Sequence, residues 1–137
     1  MTKPVKYVYV LRTCKPDMSS HNGFAWSKKG DVKAPDWDKK PTCGNGLHGH
    51  LWGHGDPRLL NWNEDAMWLV CKVAGKDIVD LGGKVKFPKC KVVFCGDRKG
   101  ATDYIIECGA DPSKVVGAFL TGGDGSTLTG GDGSTLT

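Results

Sequence analysis

The hydroxyl-bearing residues near the end of the chain have the most regular spacing in the sequence. The octapeptide GGDGSTLT occurs twice without change, beginning at Gly122 and at Gly130. In an extended strand, side chains two residues apart lie on one face, about 7 Å from each other. The sequence therefore predicts rows of outward threonines that could bind water through hydroxyls and enclose it with methyl groups: Thr127, Thr129, Thr135 and Thr137.

Identical short repeats of this kind predict a β-solenoid. Ser-Thr-Leu-Thr alternates as a strand does, and Gly-Gly-Asp-Gly is typical of a tight turn. Two octapeptides make one coil, with inward side chains Ser126, Leu128, Ser134 and Leu136. Because coils stack about 4.8 Å apart, the threonines of a long array would form a lattice able to order water as in ice. A flexible Gly/Ser/Thr linker is the alternative that composition alone allows.

A cluster of histidines is the second group that could do chemistry. His48, His50 and His54 follow closely after Cys43, and with His21 or another thiol they could hold zinc. The spacing fits no standard pair of zinc ligands, and the chain has no CxxC motif. We therefore expect turn or surface histidines, with no metal and no cofactor, and keep a Cys/His zinc-binding module as an alternative.

A cysteine paired with a histidine is the arrangement that could make the chain an enzyme. Cys14 or Cys43 could be activated by His21 or His48. With six cysteines and four histidines, such pairs are expected by chance. The sequence therefore predicts no catalytic residue and no enzyme activity.

Composition favours an ordinary folded domain. The chain has 137 residues, of which 25% are charged, and a net charge of +4. Its lysines occur in ones and twos rather than in a block, so we expect no nucleic-acid partner. The N-terminal residues resemble a strand rather than a signal peptide, and no stretch reaches the ~18 apolar residues of a membrane span. We expect the cysteines to be thiols.

The composition changes abruptly near Leu120. All cysteines and tryptophans precede it, and the residues after it are Gly, Ser, Thr, Leu and two Asp. We predict a strand-rich α+β N-terminal domain over residues 1–120, which caps or delivers the repeats, and the first coil of a β-solenoid over residues 121–137. The chain is then expected to be a piece of a longer repeat protein.

The predicted elements that would hold the histidines, cysteines and threonines in place are mainly strands. Runs of β-branched and aromatic residues predict strands at Val5–Leu11, Trp68–Val73, Ile78–Leu81, Val85–Phe87 and Val92–Phe94. Leu47–Trp52 is expected to be a short segment between glycines. Ala34–Asp38 is expected to be extended, and Ala101–Cys108 to be a helix. Asp111 and Pro112 predict the start of another helix. Its buried stripe, and the junction with the first coil, would be Val115, Val116, Phe119 and Leu120.

Two independent segments resemble bacterial ice nucleation proteins. The octapeptide resembles their repeat, and residues from about 8 to 106 resemble their N-terminal domain. The residues that carry the second resemblance include Val10-Leu11-Arg12-Thr13-Cys14, Asn45-Gly46-Leu47, Leu51-Trp52-Gly53, Val85-Lys86-Phe87-Pro88 and Gly96-Asp97-Arg98. The two matches together identify the chain as the N-terminal domain and first repeats of such a protein.

The resemblance implies a β-solenoid that orders water and seeds ice at the outer membrane surface of a bacterial cell. It also implies self-association of the full-length protein, a possible association with the membrane surface, and no enzyme activity. Asp124 and Asp132 stand where that family has tyrosine, and the long linker of the family is missing. A general capping module for β-repeats in a surface or phage-related protein is the alternative.

Overall fold

The computed structural model describes residues 6–20, 24–42 and 45–119, and of Phe119 only the backbone. Seven strands and two helices make up this part of the chain. The strands are β1 (Tyr7–Cys14), β2 (Gly30–Lys33), β3 (Leu47–Leu51), β4 (Met67–Ala74), β5 (Val79–Asp80), β6 (Val85–Phe87) and β7 (Lys89–Gly96), and the helices are α1 (Arg98–Glu107) and α2 (Val116–Phe119). Single turns of 3-10 helix lie at Pro57–Leu59 and Gly75–Asp77.

All seven strands form one antiparallel sheet in the order β2-β7-β4-β1-β3-β6-β5. Strand β1 pairs with β4 over its full length, from Tyr7↔Ala74 to Cys14↔Met67. On its other side it pairs with β3 at two positions only, ending at Leu11↔His50. Beyond that position no further backbone pairing joins β1 and β3 in the described part of the chain.

Each face of the sheet has its own apolar core, because successive strand residues point to opposite faces. On one face Val10, Cys71 and Val92 belong to a cluster that also contains Trp26 and Phe87. On the other face the next residues along β1 and β4 pack against helix α1. That second cluster includes Leu11, Val70, Ala101, Ile105 and Val115.

Helix α1 confirms the helix predicted near Ala101–Cys108, although it begins at Arg98. The Asp97 carboxylate caps it by accepting a hydrogen bond from the Gly100 backbone N–H at 2.7 Å. Gly109 ends it with φ of +118°, the left-handed conformation that glycine adopts without strain. The buried Ile105 anchors the helix to the sheet.

Two local predictions are wrong. No helix starts at Pro112, because the Asp111 carboxylate instead accepts hydrogen bonds from the backbone N–H and hydroxyl of Ser113 and closes a turn; the helix begins at Val116. Residues Pro35 and Asp36 form a turn rather than extended chain.

The strand-rich α+β class is confirmed for the N-terminal domain. The predicted coil at residues 121–137 lies outside the described residues, together with its outward threonines and its inward Ser126, Leu128, Ser134 and Leu136.

Candidate functional site

A cleft of about 450 Å³ opens where β1 and β3 part. Its floor comes from the unpaired ends of the two strands and its walls from the loops that precede β2 and follow β3. Residues on these elements include Arg12, Trp26, Leu47, His48 and Leu60. A volume of this size is within the range of small-molecule pockets.

Arg12 bridges the gap between the two strands. Its guanidinium donates one hydrogen bond to the His48 carbonyl at 2.9 Å and two to the Thr13 carbonyl at 2.9 and 3.2 Å. The same group lies 4.0 Å from the centroid of the Trp26 ring, as a cation–π contact. One hydrogen bond from this side chain thus joins β1 to β3, and the contacts with Thr13 and Trp26 hold the guanidinium in one orientation.

Close packing of β3 against β1 depends on Gly49. A Cβ there would collide with the Val10 side chain and would lie 3.0 Å from the Leu11 carbonyl oxygen. Only glycine leaves room for the two strands to approach at this point.

His50 is buried beneath the loop that follows β3. It is 1% exposed, and its Nε2 lies 2.8 Å from the Asp56 carbonyl oxygen. Because a carbonyl oxygen can only accept a hydrogen bond, Nε2 carries the ring proton and donates the hydrogen bond. Nδ1 is buried and has no hydrogen-bond partner among the described residues. Burial lowers the pKa of His50, so the ring is neutral near pH 7.

The histidines of the possible zinc site do not converge. His48 and His50 lie two residues apart on β3, and His54 lies in the following loop. Over the described ranges, no three His, Cys, Asp or Glu side chains come together in a geometry that could hold a metal ion. His21 and Cys43 lie outside the described residues.

The buried thiols are poorly suited to act as nucleophiles. Cys14, Cys71 and Cys90 are free and buried. Burial raises the pKa of Cys14, and a hydrogen bond with Cys90 together with burial raises that of Cys71. Because the thiolate is the reactive form, Cys14 and Cys71 are poor nucleophiles at neutral pH. All three side chains belong to the first apolar cluster.

The last described residues are held against the core. Val115 is completely buried, and the Val116 backbone N–H donates to the Gly53 carbonyl at 3.0 Å. Gly117 packs closely against Thr102 and Trp68. Two of the four predicted junction residues, Val115 and Val116, are therefore in contact with the core; the side chain of Phe119 and all of Leu120 lie outside the described residues.

A family model described as Domain of unknown function (DUF7666) matches residues 8–106. The chain belongs to this family. The match covers the sheet from β1 to β7 and most of α1, so the DUF7666 domain includes Arg12, His50 and the cleft between them.

The predicted resemblance to ice nucleation proteins is confirmed. The chain is 42% identical over 114 residues to an Ice nucleation protein of Pseudomonas syringae pv. syringae, 82% of this chain. It is 40% identical over 103 residues to that of Xanthomonas campestris pv. translucens, 74% of this chain. It is 35% identical over 108 residues to Ice nucleation protein InaU of Pantoea ananas, 76% of this chain.

The matched region is a small part of those relatives. It spans 10%, 7% and 10% of their respective lengths. No solved structure gives a significant match. The helices in the described part of the chain are too short or too polar to cross a membrane.

Sequence reasoning missed the role of Arg12 and Trp26 in the cleft. A usable signal was present, because Arg12 stands between apolar and buried residues in a central strand. A charged side chain at such a place needs fixed partners, and the carbonyls of Thr13 and His48 provide them.

Proposed function

We propose that the DUF7666 domain caps and starts a β-solenoid whose first coil is residues 121–137, and that the full-length protein orders water on its threonine lattice and seeds ice. The observation that carries this proposal is the similarity to relatives named Ice nucleation protein, in a chain where identical octapeptides follow the domain directly. The outer surface of a bacterial cell is the location that the resemblance implies.

The anchored exit of the chain supports a capping role. A solenoid end exposes unpaired backbone groups and needs a terminal unit that covers them. The hydrogen bond from Val116 to Gly53 and the packing of Gly117 fix helix α2 on the domain. The first octapeptide begins three residues after Phe119, so only a short stretch of chain separates it from helix α2.

The proposed water-binding side chains are Thr127, Thr129, Thr135 and Thr137, and the proposed core of the coil is Ser126, Leu128, Ser134 and Leu136. A single coil offers too small a patch to stabilise an ice embryo. Ice and liquid water are therefore partners of a long array, and self-association of full-length copies would enlarge the lattice further.

Droplet freezing tests the proposal. The domain is extended with a long array of GGDGSTLT units, and its freezing temperature is compared with that of the 137-residue chain and of buffer. We expect freezing at a higher temperature only for the long array. Replacing every outward threonine with alanine should remove the effect, since both hydroxyls and methyls are lost.

Two matched arrays make the test specific. Thr→Ser keeps the hydroxyl and Thr→Val keeps the methyl groups, so each retains half of the lattice chemistry. Circular dichroism must show the same strand content in all arrays. Equal freezing temperatures for the threonine and alanine arrays would refute the water-lattice mechanism.

A further inference from the structure

Four lysines form a basic surface on the sheet, beyond the end of helix α1. Lys72 lies on β4, Lys89 and Lys91 lie on β7, and Lys33 lies on the edge strand β2. Lys72 is directly opposite Lys91, and Lys89 is directly opposite Lys33. Three of the four are exposed and Lys72 is half-buried. We call this surface the lysine face.

The positive charges of the lysine face are only partly offset by neighbouring groups. Like charges directly opposite each other on neighbouring strands are destabilising. Asp31 lies opposite Lys91, and the Lys72 ammonium lies 4.4 Å from the centroid of the Tyr7 ring. The ion pairs in the described ranges are Arg58–Asp56 and Lys99–Asp103, and neither involves the lysine face. A surface with two like-charge pairs in register is suited to an anionic partner.

The chain itself contains a segment of complementary charge. Asp124 and Asp132 are the only charged side chains after Leu120, one in each octapeptide. Because two octapeptides make one coil, these carboxylates would lie in its two turns, and further coils of the same sequence would extend each into a ladder that repels itself unless cations offset it. Fixed ammonium groups on neighbouring strands provide such an offset.

The distances allow this contact. Helix α2 packs against Trp68 through Gly117, and Lys72 follows Trp68 by four residues on the same strand. At about 3.3 Å per strand residue, that is about 13 Å. Counted from the same Gly117, Asp124 follows by seven residues, which span up to about 23 Å.

We propose that Asp124 and Asp132 dock the turns of the first coil on the lysine face and so set the orientation of the solenoid on the domain. This inference rests on the proposed capping function and names the surface that performs it. Exposed ion pairs are individually weak and screened by salt. The contact therefore selects an orientation and leaves the stability of the domain unchanged.

Amide hydrogen exchange of residues 122–137, measured by NMR on the whole 137-residue chain, tests the proposal. Asp124→Lys with Asp132→Lys should accelerate exchange roughly two- to fivefold. Lys72→Glu with Lys91→Glu should do the same. The protein with all four substitutions restores opposite charges and should return to the exchange rates of the wild type.

The controls separate this contact from other effects. Lys39→Glu with Lys40→Glu changes the net charge equally and should leave the exchange rates unchanged. If the Lys72→Glu and Lys91→Glu variant fails to fold, Asp124→Asn with Asp132→Asn tests the same contact, because it removes the carboxylates of the repeats. About 1 M salt should accelerate exchange in the wild type as the substitutions do.

Several results would overturn the proposal. Equal exchange rates in the wild type and in the Asp124 and Asp132 variants would exclude the contact. It would also be excluded if the protein with all four substitutions failed to regain the exchange rates of the wild type. Protection of the lysine face that appears only with added heparin or anionic vesicles would assign it to a separate polyanion. None of these results affects the freezing test, which can succeed with a coil docked elsewhere.

Discussion

Replacing Arg12 with methionine should destabilise the domain through the gap between β1 and β3. The substitution keeps an apolar stem and removes all three hydrogen bonds to the carbonyls of Thr13 and His48, together with the contact to Trp26. Only the bond to the His48 carbonyl crosses between the strands; one hydrogen bond from a charged donor contributes about 1.5–3 kcal/mol, and a partly exposed cation–π contact about 0.5–1 kcal/mol. We expect a loss of about 2–4 kcal/mol in the free energy of unfolding.

Urea unfolding measures this loss. With a slope of about 2 kcal/mol per molar urea, the midpoint should fall by about 1–2 M. Arg12→Lys should lie between wild type and methionine, because lysine keeps the charge without the planar fork. Arg58→Met is the control, since Arg58 is exposed and pairs only with Asp56. If Arg12→Met costs no more than Arg58→Met, the bridging role assigned to Arg12 is wrong.

Three further predictions follow from the same contacts. Burial lowers the pKa of His50 below its ordinary value of 6.5, so the stability that the neutral ring contributes is complete above about pH 6.5. This contribution falls as the pH drops from there towards the folded-state pKa, by at most about 1.4 kcal/mol per pH unit. Urea midpoints should show this slope in the wild type and a smaller slope in His50→Gln. Gly49→Ala should cost about 1–3 kcal/mol in the same assay because a Cβ collides with β1, and an unchanged midpoint would contradict the close packing. Asp97→Ala should cost about 1 kcal/mol through the lost cap of α1, whereas Asp103→Ala, at an exposed ion pair, should cost less.

The strands with dense apolar sequence could be predicted from the sequence. The strand predicted at Trp68–Val73 is β4, and Val85–Phe87 is β6 as predicted. Strand β2 was missed because Gly30–Lys33 contains one buried apolar residue, Val32. Its pairing with β7 comes from tertiary contacts, which local pattern does not reveal.

Local signals can fit two structures equally well. Asp111 followed by Pro and Ser is typical of a helix start, and it is also typical of the turn that forms. The outcome depends on Val115, which is buried in the core and fixes where the helix can begin.

The cleft could not be predicted because it depends on an interrupted pairing. The predicted first strand ends at Leu11, one residue before Arg12, and no strand is predicted around His50, whereas the structure places these residues in β1 and β3. The point where the pairing of β1 and β3 ends is a property of the assembled sheet. The burial of His50 also requires the following loop to fold back, so that the Asp56 carbonyl reaches its ring.

The proposed capping role requires the domain to order the octapeptides that follow it. This is measured by amide hydrogen exchange of the first octapeptides in a long array, with and without residues 1–120 attached. We expect slow exchange only when the domain is present, because in the proposed arrangement it covers the open end of the first coil. Equal exchange rates with and without the domain would exclude the capping role.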